Sequence, residues 1–120
     1  MLTALLFRFP FPGPWGKELA EAVHDLARDI ANESWLVWKI WLENCETGHA
    51  GGIYLFEHAA AAERYREKHE RRRSAMGFTG VTAHAFSVNT ELSVLTMAGA
   101  ALGQTPASKS ASTAAAAAPS

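Results

Sequence analysis

Residues 35–42 read WLVWKIWL, and this run constrains the fold more than any other part of the chain. In a strand, alternate residues point to opposite faces. One face then carries Leu36, Trp38, Ile40 and Leu42, and the other carries Trp35, Val37, Lys39 and Trp41. Both faces are largely apolar, so both need cover from water. A chain of 120 residues is one domain by length and has little material to supply that cover twice.

The flanking segments say which elements are available. Leu2 to Phe9 is an apolar run closed by Pro10, Pro12, Gly13 and Pro14, which predicts a strand and then a turn. In GKELAEAVHDLARDIANE, residues 16–33, Leu19, Val23, Leu26 and Ile30 recur at helical spacing and predict one amphipathic helix. Trp35 to Glu43 is a second strand, ETGHAGG is a hairpin turn or bulge, and IYLF is a third strand. Residues 58–77, with an alanine-rich start and Gly77 as a stop, predict a second helix. Val81 to Val88 is a fourth strand, and Asn89 or Thr90 caps a short last helix in ELSVLTMAGAAL.

Strand, helix, strand, strand, helix, strand is the ferredoxin-like βαββαβ order, an α+β fold with a four-stranded antiparallel sheet and here a short C-terminal helix. Two helices cover one face of such a sheet. The second face, still apolar on the second strand, calls for another copy of the same sheet, so the pattern predicts a homodimer through the sheet face. The folded domain is expected to span residues 1–103. Residues 104–120, QTPASKSASTAAAAAPS, have no apolar stripe and are expected to be a disordered tail.

Charge and cysteine usage narrow the class. The formal net charge of −1 gives no pull toward nucleic acid or an anionic membrane. Cys45 stands alone, so no internal disulfide can form and a cytoplasmic location is expected. The N-terminus lacks the pattern of a signal peptide, and no run approaches the roughly 20 apolar residues of a membrane helix.

GPWG at 13–16, WKIW at 38–41, AGGIYLF at 50–56, YREKH at 65–69 and FSVNTELS at 86–93 together resemble the YdhR-like mono-oxygenases along roughly residues 3–97. That resemblance implies a dimeric α+β barrel in which two ferredoxin-like sheets pack face to face. It also implies a cofactor-independent mono-oxygenase acting on a small aromatic compound such as a phenol, quinol or anthrone, with no cofactor. The alternative is a barrel of the same kind that binds a small apolar molecule without catalysis.

Tyr65 and His69 are four residues apart on a helix and share a face. A phenol and an imidazole aimed at an aromatic sheet could orient and deprotonate a bound phenol or enol, with His69 as base. The plainer reading is that both are packing residues with polar tips. Trp38, Tyr54, Phe56 and Phe86 are expected to line an aromatic binding site, Trp38 beside Tyr65, although each taken singly reads as core. The histidines form no HxH or HExxH pattern, and no metal site is expected. GHAGG opens no helix and reads as a turn rather than a phosphate loop. The charged run ERYREKHERRR reads as a solvated helix face.

Other readings fit less well. An RNA-recognition motif shares the element order, but its two stacking aromatics would fall on Gly51 and Ile53, which cannot stack a base. Haem degradation would need a ligating histidine, for which His69 is the one candidate.

Overall fold

Four strands form one antiparallel sheet in the order β2-β3-β1-β4: β1 is Thr3–Pro10, β2 Leu36–Asn44, β3 His49–Phe56 and β4 Thr82–Ser87. The computed structural model describes residues 1–75, 77 and 80–103. These fall into two units, Met1–Ser87 and Val88 onward. The segment expected to be a disordered tail, residues 104–120, lies outside the described residues.

The first unit carries the sheet and three helices, α1 Gly16–Ala22, α2 His24–Ala31 and α3 Ala59–Ala75. The expected first helix is thus divided in two. Val23, at φ −110 and ψ 18, leaves the helical region between α1 and α2. Two bonds still span the break: the Val23 N–H donates to the Leu19 carbonyl, and the Ala27 N–H to that of Val23. The axis bends while the stripe from Leu19 to Ile30 is kept. α3 ends before Gly77, whose φ of +82 is the left-handed conformation that closes a helix.

Pairing fixes which side chains share a face. β1 sends Thr3, Leu5, Phe7 and Phe9 to the buried, helix-covered side. Their partners Phe56, Tyr54, Gly52 and Ala50 on β3 point the same way. Leu5, Phe7, Ile30, Tyr54, Phe56, Ala61, Ala62 and Tyr65 form the core. Fully burying a Leu or Phe side chain contributes about 1.5–3 kcal/mol, so this layer carries most of the unit's stability. The opposite face shows Leu6, Ile40, Leu42 and Phe86, all exposed.

Two sequence expectations are corrected by the register. The turn between β2 and β3 is only Cys45–Gly48, closed by the Asn44 Oδ1, which accepts from the N–H groups of Glu46 and Thr47 at 3.0 and 3.2 Å. Gly48, at φ +73, is its glycine. Gly51 and Gly52 belong to β3. They resemble turn residues in sequence but serve close packing instead: a Cβ on Gly51 would lie 2.0 Å from the Phe7 carbonyl oxygen of β1. Second, the β2 register slips between Leu36 and Trp38. Leu36 pairs with Phe56 on the helix side, while Trp38 pairs with Leu55 on the other. Strict alternation would have kept Leu36 and Trp38 together; the irregularity at Val37 separates them.

The second unit holds α4, Thr90–Leu95, and a 3-10 turn at Ala100–Leu102. Asn89 is the cap: its side chain accepts from the Leu92 N–H at 3.0 Å.

Candidate active site

The first unit has two notable hollows. The larger, about 540 Å³, lies on the helix-free face and includes Leu6, Leu42, Ile53 and His84. The smaller, about 130 Å³, lies on the helix side among Phe9, Phe11, Leu19, Val23, Leu26, Lys39, Trp41, His69, Arg72 and Arg73. The buried ionisable groups gather at the smaller one, and chemistry is argued from there.

α3 supplies one wall. Residues 62, 65, 69 and 73 recur at helical spacing, and Ala62, Tyr65 and His69 are buried against the sheet. Arg73 continues the same stripe. Its guanidinium carbon lies 3.4 Å from the centroid of the Phe9 ring, and its Nε–H donates to His69 Nε2 at 2.9 Å. Because arginine stays protonated, Nε2 is the lone-pair nitrogen and Nδ1 carries the hydrogen. Nδ1 faces the Tyr65 hydroxyl at 3.4 Å, which donates in turn to the Tyr54 hydroxyl at 3.4 Å. The result is a buried chain, Arg73–His69–Tyr65–Tyr54. Its two hydroxyl links are long and weak, and its arginine link is short. Phe7 packs edge-on to His69 at 4.4 Å and fixes the ring plane.

β2 supplies the other wall. Lys39 and Trp41 pair with Tyr54 and Gly52 and so face the helices. The ammonium of Lys39 sits 3.3 Å from the Trp41 ring centroid and 4.6 Å from that of Tyr54. Gly52 makes this possible, since a Cβ there would come within 2.7 Å of Lys39 Cε. At the mouth, Glu43 Oε1 accepts from the Gly16 N–H at 2.8 Å and ties the GPWG segment to the end of β2.

Electrostatics follow from this burial. Burial, then Arg73 and Arg72, lower Lys39 to a pKa of about 7. The Trp41 ring favours the charged form and works against that shift. Burial, then Arg73, Lys39 and Arg72, hold His69 down to about 3, so it is neutral at pH 7. Burial raises the Tyr54 and Tyr65 phenols, which stay protonated. A neutral lysine is a competent proton acceptor near pH 7, whereas the Nε2 lone pair of His69 is already engaged by Arg73.

Four of the six residues expected at the site pack together in the core, Tyr54, Phe56, Tyr65 and His69, and of these His69 lines the cavity itself. Trp38 and Phe86 do not join them. Trp38 faces away because of the β2 register slip, and Phe86 pairs with Ala4 on the helix-free side. Trp41 and Lys39 take the places expected of Trp38. Lys39 escaped notice as one polar residue in an apolar strand, yet a single lysine on a core-facing position is itself the signal. Arg72 and Arg73 were hidden in a run whose other charged members are exposed or half-exposed: Arg66, for instance, pairs with Glu63 and Glu70. Among the described residues no group of three or more His, Cys, Asp or Glu could hold a metal ion, and no helix is long and apolar enough to cross a membrane.

Comparison with known proteins agrees with this architecture. A mutant of SnoaB, a cofactor-independent oxygenase from Streptomyces nogalater, superposes with a TM-score of 0.53 at 14% identity, over 73% of this chain and 93% of that one. Rv0793 from Mycobacterium tuberculosis gives 0.53 at 15% identity, over 73% and 95%. At such identities the likeness establishes the ferredoxin-like fold. No curated protein sequence matches the chain. The family described as "Putative mono-oxygenase ydhR" matches residues 4–99. That match takes in all four strands except Thr3, the first residue of β1, and all the residues of the helix-side cavity, and the chain belongs to the YdhR mono-oxygenase family.

Proposed function

We propose that the protein is a cofactor-independent mono-oxygenase for a small aromatic compound of phenol, quinol or anthrone type, with the helix-side cavity as its site. The observation that carries this is the placement of Lys39, lowered to about 7, against Trp41 and Tyr54 in an apolar cavity beside two arginines. Lys39 takes the proton of a bound phenol or enol. The ammonium formed and the Arg73 guanidinium then hold the anion in a site of low polarity. Tyr65 and His69 act on Arg73 and Tyr54 by positioning them. Such an electron-rich anion can reduce O₂ itself. For an anthrone, one oxygen atom becomes the new carbonyl and the other leaves as water with the two hydrogens of the methylene. All the electrons come from the substrate, so the balance needs no external reductant.

The test is oxygen uptake across a panel of anthrones, quinols and simple phenols, with matched uncatalysed controls. At least one is expected to be turned over at a rate that rises as pH passes through about 7, because Lys39 must be neutral to act. A panel bound without any oxygen uptake would leave a binding barrel in its place.

The same reading includes a homodimer through the exposed face of Leu6, Ile40, Leu42 and Phe86 and a reducing cytoplasm, in keeping with the exposed, unpaired Cys45. Sedimentation at micromolar concentration is expected to show twice the chain mass, and Phe86→Asp with Leu42→Asp is expected to give a monomer. A wild-type monomer would refute the dimer.

A further inference from the structure

We propose that the substrate is an acidic aromatic, one that carries a carboxylate besides its oxidisable hydroxyl, and that Arg72 and Arg73 select it. This rests on the reading of the helix-side cavity as the substrate site, but not on oxidation occurring there.

Three basic side chains, Lys39, Arg72 and Arg73, line this cavity of about 130 Å³. Its remaining lining is mostly apolar or aromatic, and the one carboxylate in it, Glu43, already accepts from the Gly16 N–H at 2.8 Å. Asp29, which faces the group from α2, reaches only Arg72 Nη2, at 3.4 Å and mostly exposed. His69 adds no negative charge, and neither phenol ionises. The cations therefore repel one another in a place where charge is poorly solvated, which the lowering of Lys39, His69 and Arg73 reflects.

A second observation concerns Arg72, which lines the cavity. Among the described residues, Arg72 Nη1 is buried and has no hydrogen-bond partner. A buried guanidinium nitrogen without an acceptor is costly, and such groups are normally paired. A ligand carboxylate is the acceptor that arginine is shaped for, because its two oxygens match two parallel N–H groups. The ring of the same ligand would lie among Phe9, Phe11 and Trp41. A neutral phenol would satisfy Lys39 and leave Arg72 Nη1 as it is.

The experiment is calorimetric titration of the full chain at pH 7 with 1-hydroxy-2-naphthoate, with its methyl ester and with 1-naphthol. A charge-assisted pair is worth at least one factor of ten, so the carboxylate is expected to bind about tenfold more tightly than the ester or the naphthol. The preference is expected to collapse in Arg72→Gln. Equal wild-type affinity for acid and ester overturns the proposal, and that comparison needs no variant to fold. A preference that survives both Arg72→Gln and Arg73→Gln also overturns it. Tight acid binding together with no oxygen uptake across the panel of anthrones, quinols and phenols supports this inference and removes the mono-oxygenase reading, so the two fail separately.

Discussion

Lys39→Met is expected to give a protein that is more stable than the wild type at neutral and acidic pH, and inactive. Proton transfer by a placed base contributes about 10²–10⁴-fold, and the variant should lose at least the lower figure in turnover per folded molecule. The stability gain follows from linkage. Lys39 has a pKa of about 7 in the fold against an ordinary 10.5. Between those values the unfolded chain binds more protons than the folded one, so wild-type stability rises with pH across that window. Below about 7 the whole cost of the buried ammonium is present, and above 10.5 it is absent. Replacing a buried, unpaired ion with an apolar side chain of similar length removes that desolvation cost, so the variant is expected to gain stability. Urea unfolding at pH 6, 8 and 10 checks this: the advantage of the variant should shrink as pH rises. Stability lost for the sake of a site is the usual trade between function and folding. His69 adds to the same trend at lower pH. Its folded value of about 3 against an ordinary 6.5 makes stability fall as pH drops between them.

Gly51→Ala is expected to cost about 3 kcal/mol or more, the upper range for forced overpacking, because the clash is with backbone. An added methyl would meet the Phe7 carbonyl oxygen at 2.0 Å and the Arg8 Cα at 3.2 Å, and neither can rotate away. β1 and β3 would have to separate where Arg8 pairs with Gly51. Phe7, which holds the His69 ring at 4.4 Å, would move with them. Gly52→Ala is expected to be milder for folding and harsher for the site, since the nearest atom it meets is Cε of Lys39, at 2.7 Å. Thermal unfolding of the two variants beside oxygen uptake per folded molecule would show this inversion.

The fold was legible because its signals are periodic. The stripe from Leu19 to Ile30, the apolar run of β1 and the order of elements follow from spacing alone, and the family segments fall on the elements they suggested. The site was legible only where periodicity reached it. Tyr65 and His69 share a helical face at any register, and Tyr54 and Phe56 share a strand face. Trp38 was misplaced because the slip beside Val37 inverts a face, and nothing in the local composition marks it. The two glycines of β3 mislead for a related reason: glycine serves both tight turns and close strand contacts, and only pairing with Phe7 and Arg8 distinguishes them. The role of Lys39 depends on Gly52 across the sheet and on Arg73 from α3, partners far apart in sequence.

The sharpest test of this site is the titration of Lys39 itself. The ε-methylene carbon shift of each lysine can be followed by NMR from pH 5 to 12, with Lys39→Met giving the assignment. One lysine signal, absent in the variant, is expected to titrate with a midpoint near 7. If every lysine, Lys39 included, titrates near the ordinary 10.5, no neutral amine is available at physiological pH and Lys39 is not the proton acceptor of this cavity.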